Sequence, residues 1–276
     1  MTQLEYHLLD VFTDRPFAGN GLAVFVDAPP LATAEMQAIA RELNLSETVF
    51  VSTPVSGDAW PTRIFTPGTE LPFAGHPTVG TAVLLAELGL VKESVALREG
   101  VGDIVCALDG NRATFTTASL PASIDIASAD QLVESVGLAV EDLHPEFAVA
   151  GFSCGVPFAF LVVRDQSVLA RCRIGNVPGQ VCVTAPIESD WSRWRCRMFA
   201  PSFGIPEDPA TGSAAAAFAG VLARLEVTEV TIDQGVEMGR PSTLFLTLGR
   251  DDDGGLTSVQ VGGHAVVIGS GKLHAP

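Results

Sequence analysis

Lysine is nearly absent from this chain: Lys92 and Lys272 are its only two among 276 residues. With 16 basic residues against 32 acidic ones, the formal net charge is −16, and no basic cluster stands out. That balance argues against nucleic acid and anionic membrane as partners, and the acidity reads as a means of solubility. Long apolar runs are missing too, so no segment is read as crossing a bilayer. The opening "MTQLEYHLLD" lacks a basic stretch followed by an apolar core, so no signal peptide is read there. Cysteine is scarce and odd in number, with Cys106, Cys154, Cys172, Cys182 and Cys196 showing no C-x-x-C spacing. This pattern points to reduced, mostly buried thiols in a cytoplasmic protein without a zinc site. No pair of histidines or mixed carboxylate cluster points to any other metal.

What is present is apolar: 47% of residues are hydrophobic and 17% charged, the balance of a globular protein long enough for two domains. The first 66 residues alternate strand and turn signals around one helix, "TAEMQAIARELNL", with Thr33 as its expected N-cap. A second helix is expected over 77–88, followed by hairpins through "DIVCALDGNRATFTT". A loop near "SLPASIDIAS" divides the chain into halves at 1–118 and 119–276, and the last strand is free to pack back on the first half. The second half reads as a short helix ("ADQLVESVGL"), strands at 147–151, 157–163, 180–185 and 193–199, a helix from Pro209 to Ala223, and further strands. "GRDDDGGL" between two of those strands reads as a hairpin turn.

Two stretches repeat each other. "FTPGTELPFAGHPTVGTAVLLAELG" begins at Phe65 and "FAPSFGIPEDPATGSAAAAFAGVLA" at Phe199. With a two-residue slip, His76-Pro77 falls on Asp208-Pro209, and Gly80-Thr81-Ala82 on Gly212-Ser213-Ala214. Both helices are apolar nearly all round, as helices inside a curved sheet must be. The expected fold is therefore α+β, with two pseudo-symmetric domains, each a β-barrel-like, mostly antiparallel sheet around a central helix.

Proline suits the first position of a helix, which would place His76 and Asp208 at or beside the two N-caps. The amides that follow are unpaired and carry partial positive charge, suited to a carboxylate or phosphate. Gly80 and Gly212 would leave room for a close approach. Asp208 also fits ordinary capping, and His76 a hydrogen-bonded interior histidine. If the halves face each other, one cleft would hold a neutral-range acid or base, a carboxylate and two sets of free amides. In "LNLSETVFV" the lone carboxylate Glu47 shares a strand face with Val49 and Val51. Burial there would raise its pKa, as an acid–base catalyst needs, although a solvent-facing turn residue has the same sequence signature.

Together, "DVFTDRPFAGNGLAVF", "LNLSETVFV", "FTPGTELPFAGHPTVGTA", "EDPATGSA" and "QGVEMGRPS" resemble the PhzF family of phenazine biosynthesis-like isomerases over almost the full length. That family shares the diaminopimelate epimerase-like fold. The resemblance implies a cofactor-independent proton shift on a small, carboxylate-bearing molecule, with the active site between two similar domains, commonly in a homodimer. It assigns Glu47, His76 and Asp208 as the catalytic residues, Glu47 as the family's glutamate and the other two as its helix-start polar residues. Gly75, Gly212 and Ser213 become substrate-binding residues. Related epimerases use a pair of cysteines at the two helix starts, and none of the five here falls at either.

Two decoys are set aside. "GFSCG" at 151–155 fits G-x-S-x-G, but strand follows it where a serine hydrolase needs helix. "GSGK" near the end lacks the flanking residues of a phosphate loop. Two rival functions stay open: an epimerase on an amino-acid-like substrate, and a non-catalytic descendant that binds a small molecule or protein.

Overall fold

The computed structural model describes residues 3–275; Met1, Thr2 and Pro276, the outermost positions of the two halves drawn from the sequence, lie outside the described residues. The chain divides into two compact units, residues 1–116 with 262–276, and residues 117–261.

The first unit runs β1 (Gln3–Val11), β2 (Asn20–Val26), α1 (Thr33–Leu43), β3 (Glu47–Val51), β4 (Ala59–Phe65), β5 (Glu70–Leu71), α2 (Gly75–Glu87), β6 (Ser94–Glu99), β7 (Gly102–Asp109) and β8 (Arg112–Thr116). The second runs β9 (Ala122–Ser123), α3 (Ala129–Ser135), β10 (Ala150–Ser153), β11 (Pro157–Val162), α4 (Gln166–Ala170), β12 (Val181–Pro186), β13 (Arg193–Ala200), β14 (Ile205–Asp208), α5 (Gly212–Leu222), β15 (Glu229–Gln234) and β16 (Ser242–Arg250). The long strand β17 (Leu256–His274) starts in the second unit and ends in the first.

The first sheet closes on itself. Its pairings run β1–β2–β3–β4–β6–β7–β8–β17 and back to β1, an eight-stranded barrel. Only β2–β3 and β4–β6 among the registered pairs are parallel. The second unit repeats this order: β10–β11 antiparallel, β11–β12 parallel, β12–β13 antiparallel, β13–β15 parallel, β15–β16 antiparallel. The short β5 on β4 recurs as β14 on β13. The duplication seen in two helix starts therefore extends to the whole topology, and the fold is α+β with two barrel-like units.

Each barrel is filled by a helix that the sequence makes apolar on all sides. Every residue of α2 from Gly75 to Leu85 is buried, and the helix touches β1, β2, β3, β6, β7 and β8. In α5 only Ser213 and Gly220 escape full burial. Close packing sets a size limit at one point on each helix. A Cβ on Gly80 would lie 2.6 Å from Leu22 Cδ2 and 2.7 Å from Val11 Cγ2. A Cβ on Gly220 would lie 2.4 Å from Phe152 Cδ1. Gly80 thus admits strand side chains to the helix surface, which corrects the expectation that it leaves room for a ligand.

Outer helices cover each barrel. Ile39 and Ala40 of α1 join Leu4, Phe25, Phe50 and Phe65 in one cluster. Leu132 and Val133 of α3 and Val168 and Leu169 of α4 do the same over β11 and β12. The sequence reading omitted α4, a five-residue helix whose cap Asp165 accepts from the Ser167 and Val168 amides. Thr33 is not the cap of α1. Ala32 is, and Glu35 reaches back to accept from the Ala32 N–H at 2.6 Å, while Thr33 Oγ1 accepts from Arg63.

The decoys resolve structurally. "GFSCG" spans β10 and a turn into β11, and no helix follows it. "GSGK" lies inside β17, paired with β1. "GRDDDGGL" is the β16–β17 turn, where Asp251 Oδ1 accepts from the Gly255 and Asp253 amides. All five cysteines are free, and four of them are buried.

Candidate active site

In the first unit the structure brings two of the expected residues together. Glu47 is the first residue of β3, held beside Leu22 by the parallel β2–β3 register. His76 is the second residue of α2. Its Nδ1 lies 3.1 Å from Glu47 Oε2, with the two side chains 5% and 13% exposed. Gly75 opens α2 at the first helical position, with Ala74 as the cap.

The His76–Glu47 contact is not an ordinary ion pair. Burial pushes the imidazole down to about 3, and only partial relief comes from the Gly21 carbonyl. The ring is therefore neutral at working pH. The contact sets the Glu47 carboxyl against an uncharged ring as a close approach, without the alignment of a hydrogen bond at Oε2. His76 Nε2 is buried and has no hydrogen-bond partner among the described residues. The arrangement suits a carboxyl that must take up and return a proton beside a fixed, uncharged partner.

In the second unit Asp208 ends β14 and is 7% exposed. Its Oδ2 accepts from Thr211 Oγ1 at 2.5 Å. Gln234, at the end of β15, holds this corner: its Nε2 donates to the Asp208 carbonyl at 2.8 Å and to Thr211 Oγ1 at 3.0 Å, and its Oε1 accepts from the Thr211 amide at 3.2 Å. Gly212 and half-buried Ser213 are the first two residues of α5.

These positions correct the sequence expectation in one respect. Pro77 and Pro209 do not open the helices. The helix starts two residues before Pro77, leaving it at the third helical position, where its missing N–H still costs nothing. Pro209 lies three residues before α5, because Asp208 is still paired with Met198 in β14. The helix-level counterpart of His76 is thus Ser213, and Asp208 is a strand-end residue.

Sequence reasoning missed Gln234 and a buried carboxyl, Glu99. Both were signalled by period two: Val230, Ile232 and Gln234 are buried along β15, and Val95, Leu97 and Glu99 along β6. In each, the polar residue completes an inward-facing row.

Comparison with known proteins agrees with this architecture. The family model for PhzC-PhzF, phenazine biosynthesis-like protein, matches residues 9–271. An uncharacterized isomerase of Mesorhizobium japonicum is 41% identical, over 99% of this chain and 99% of its own. Trans-2,3-dihydro-3-hydroxyanthranilate isomerase of Pseudomonas fluorescens is 36% identical, over 97% of this chain and 98% of its own. A crystal structure of a Bacillus anthracis phenazine biosynthesis protein of the PhzF family superposes with a TM-score of 0.89 at 25% identity, covering 99% of this chain and 100% of that one. Fold and relatives define an isomerase with an α+β, barrel-like fold. The chain belongs to the PhzC-PhzF, phenazine biosynthesis-like family.

Proposed function

We propose that this isomerase moves a proton between carbon positions of a small, carboxylate-bearing molecule without a cofactor. Glu47 removes the proton and returns it elsewhere on the same substrate. His76 orients the Glu47 carboxyl and the substrate's polar group, and Asp208 acts on the same substrate as a polar partner. The Gly75 and Gly212 amides and Ser213 bind the substrate's anionic group and the charge that develops as an enol forms. A cytoplasmic homodimer that takes no nucleic acid is part of the same reading.

The observation that carries it is the Glu47–His76 contact at 3.1 Å, with the ring held neutral by burial. Support comes from the named activity of the Pseudomonas fluorescens relative, an isomerase of trans-2,3-dihydro-3-hydroxyanthranilate. The test begins with a thermal-shift panel of small carboxylates, that compound included. Hydrogen exchange from deuterated water into whichever one binds follows, for wild type and Glu47→Gln. Exchange in wild type and none in the variant is expected. Binding without exchange in wild type would make the chain a binding protein, and full exchange in the variant would remove Glu47 from the chemistry. Sedimentation velocity tests the dimer separately.

A further inference from the structure

Glu99, the last residue of β6, is 6% exposed and plays no part in the reaction proposed above. Its Oε1 lies 2.7 Å from Thr78 Oγ1, in the first turn of α2. The same Thr78 oxygen lies 2.8 Å from the Ala74 carbonyl oxygen. A hydroxyl has one proton, so it cannot donate to both acceptors at once. An ionised Glu99 would leave one of these contacts without a hydrogen.

A protonated Glu99 resolves the conflict. Its O–H donates to Thr78 Oγ1, and the Thr78 O–H donates to the Ala74 carbonyl. Glu99 Oε2 is buried with no hydrogen-bond partner among the described residues. As the carbonyl oxygen of a neutral acid, that atom costs much less to bury than as half of a carboxylate. Burial accordingly raises the Glu99 carboxyl to about 8, against a smaller opposing effect of the Thr78 contact. The titratable group coupled to it is neutral as well: the Cys106 thiol on β7 is pushed up to about 12, chiefly by burial and then by Glu99.

The chain of hydrogen bonds ends on a particular peptide. The Ala74 carbonyl and the Gly75 N–H belong to one peptide unit, so a donor on the carbonyl polarises that N–H. We infer that Glu99 is a positioning residue. As a neutral acid it acts through Thr78 and the Ala74 carbonyl to strengthen the Gly75 amide as a donor to the substrate's anionic group. The ligand half of this inference rests on the proposed function; the hydrogen-bond chain does not.

The test separates the two. In the ligand-free protein, the Gly75 amide proton resonance is recorded for wild type, Glu99→Gln, Glu99→Leu and Thr78→Val. The Gln amide can still donate to Thr78, so Glu99→Gln should keep the wild-type shift, while Glu99→Leu and Thr78→Val should move it upfield. Isotope-edited infrared spectra of wild type at neutral pH should show the carbonyl band of an acid at Glu99. If Glu99→Leu does not fold, Thr78→Val and the infrared band decide. A carboxylate band at neutral pH overturns the inference, as does a Gly75 shift unmoved by Thr78→Val or equally moved by Glu99→Gln. With a turned-over carboxylate in hand, KM should rise about two- to fivefold in Thr78→Val with kcat held, and Glu99→Gln should match wild type. A KM unchanged in Thr78→Val overturns the ligand half. A protein that turns over no carboxylate, with the resonance shifts as expected, sinks the proposed function and leaves the chain of hydrogen bonds standing.

Discussion

His76 and Glu99 are joined to the same turn of α2, one as its second residue and the other through Thr78, and burial neutralises them in opposite senses. The histidine stays unprotonated down to about 3 and the glutamate stays protonated up to about 8.

The two groups should impose opposite pH limbs on stability. For His76 the folded value lies below the ordinary 6.5, so its contribution is whole above pH 6.5 and is lost as pH falls toward about 3. For Glu99 the folded value lies above the ordinary 4.5, so its contribution is whole below pH 4.5 and is lost as pH rises through about 8. Each limb has a slope of roughly 1.4 kcal/mol per pH unit. Between 4.5 and 6.5 they cancel. Urea unfolding across pH should therefore show His76→Asn losing its acid limb relative to wild type, and Glu99→Gln losing its alkaline limb. Difference curves that stay flat across both windows would mean that neither group is held neutral.

A second pair is ionised and buried. Arg197 Nε and Nη2 donate to the two oxygens of Glu207 at 2.8 and 2.9 Å, and Nη1 donates to the Leu169 and Cys172 carbonyls. Both side chains are about one-tenth exposed. Arg197→Met leaves a buried carboxylate and two carbonyls unmet, so the expected loss is about 3–5 kcal/mol. Adding Glu207→Leu should return part of that loss, because the stranded charge is gone. Chemical denaturation of the single and double variants checks the ordering, and a double variant less stable than Arg197→Met would contradict it.

Much of this fold was legible. The repeated helix starts and the all-round apolarity of 77–88 and 209–223 revealed two buried helices and a duplicated α+β plan. The candidate site residues Glu47, His76 and Asp208 stood out through motifs spread over the chain. Where the reading slipped, tertiary pairing had overruled a local signal. Proline marks helix starts well, yet the bridge from Met198 to Asp208 keeps the chain in strand up to Pro209, and α5 starts only at Gly212. Glu99 and Gln234 escaped notice because charge and polarity suggest solvent, whereas the row of alternating residues each belongs to points inward.

The close approach at Gly220 gives a packing prediction. A Cβ there would meet Phe152 Cδ1, Cγ and Cε1 at 2.4, 2.5 and 2.8 Å. Gly220→Ala should cost about 1–3 kcal/mol, since the aromatic ring must move within a filled barrel. In a Phe152→Leu background the cost should shrink, because a smaller side chain yields the space. Thermal unfolding of the four proteins in this cycle measures the coupling. Strict additivity would show that the ring does not limit residue 220.

Gln234 makes a sharper case, because one side chain supplies two donations and one acceptance around Asp208 and Thr211. Gln234→Leu removes all three, so a loss of about 2–4 kcal/mol is expected. Gln234→Glu is more telling. The new carboxyl keeps an oxygen for the Thr211 amide, but it donates to the Asp208 carbonyl only when protonated, and ionised it sets an acceptor against that carbonyl oxygen. Its folded pKa must therefore lie above its unfolded value. By linkage, the variant should approach wild-type stability below about pH 4.5 and fall away from it as pH rises. Parallel urea titrations at acidic and neutral pH decide the matter. A gap between Gln234→Glu and wild type that is constant with pH would mean that the Asp208 corner does not depend on the Gln234 amide donor.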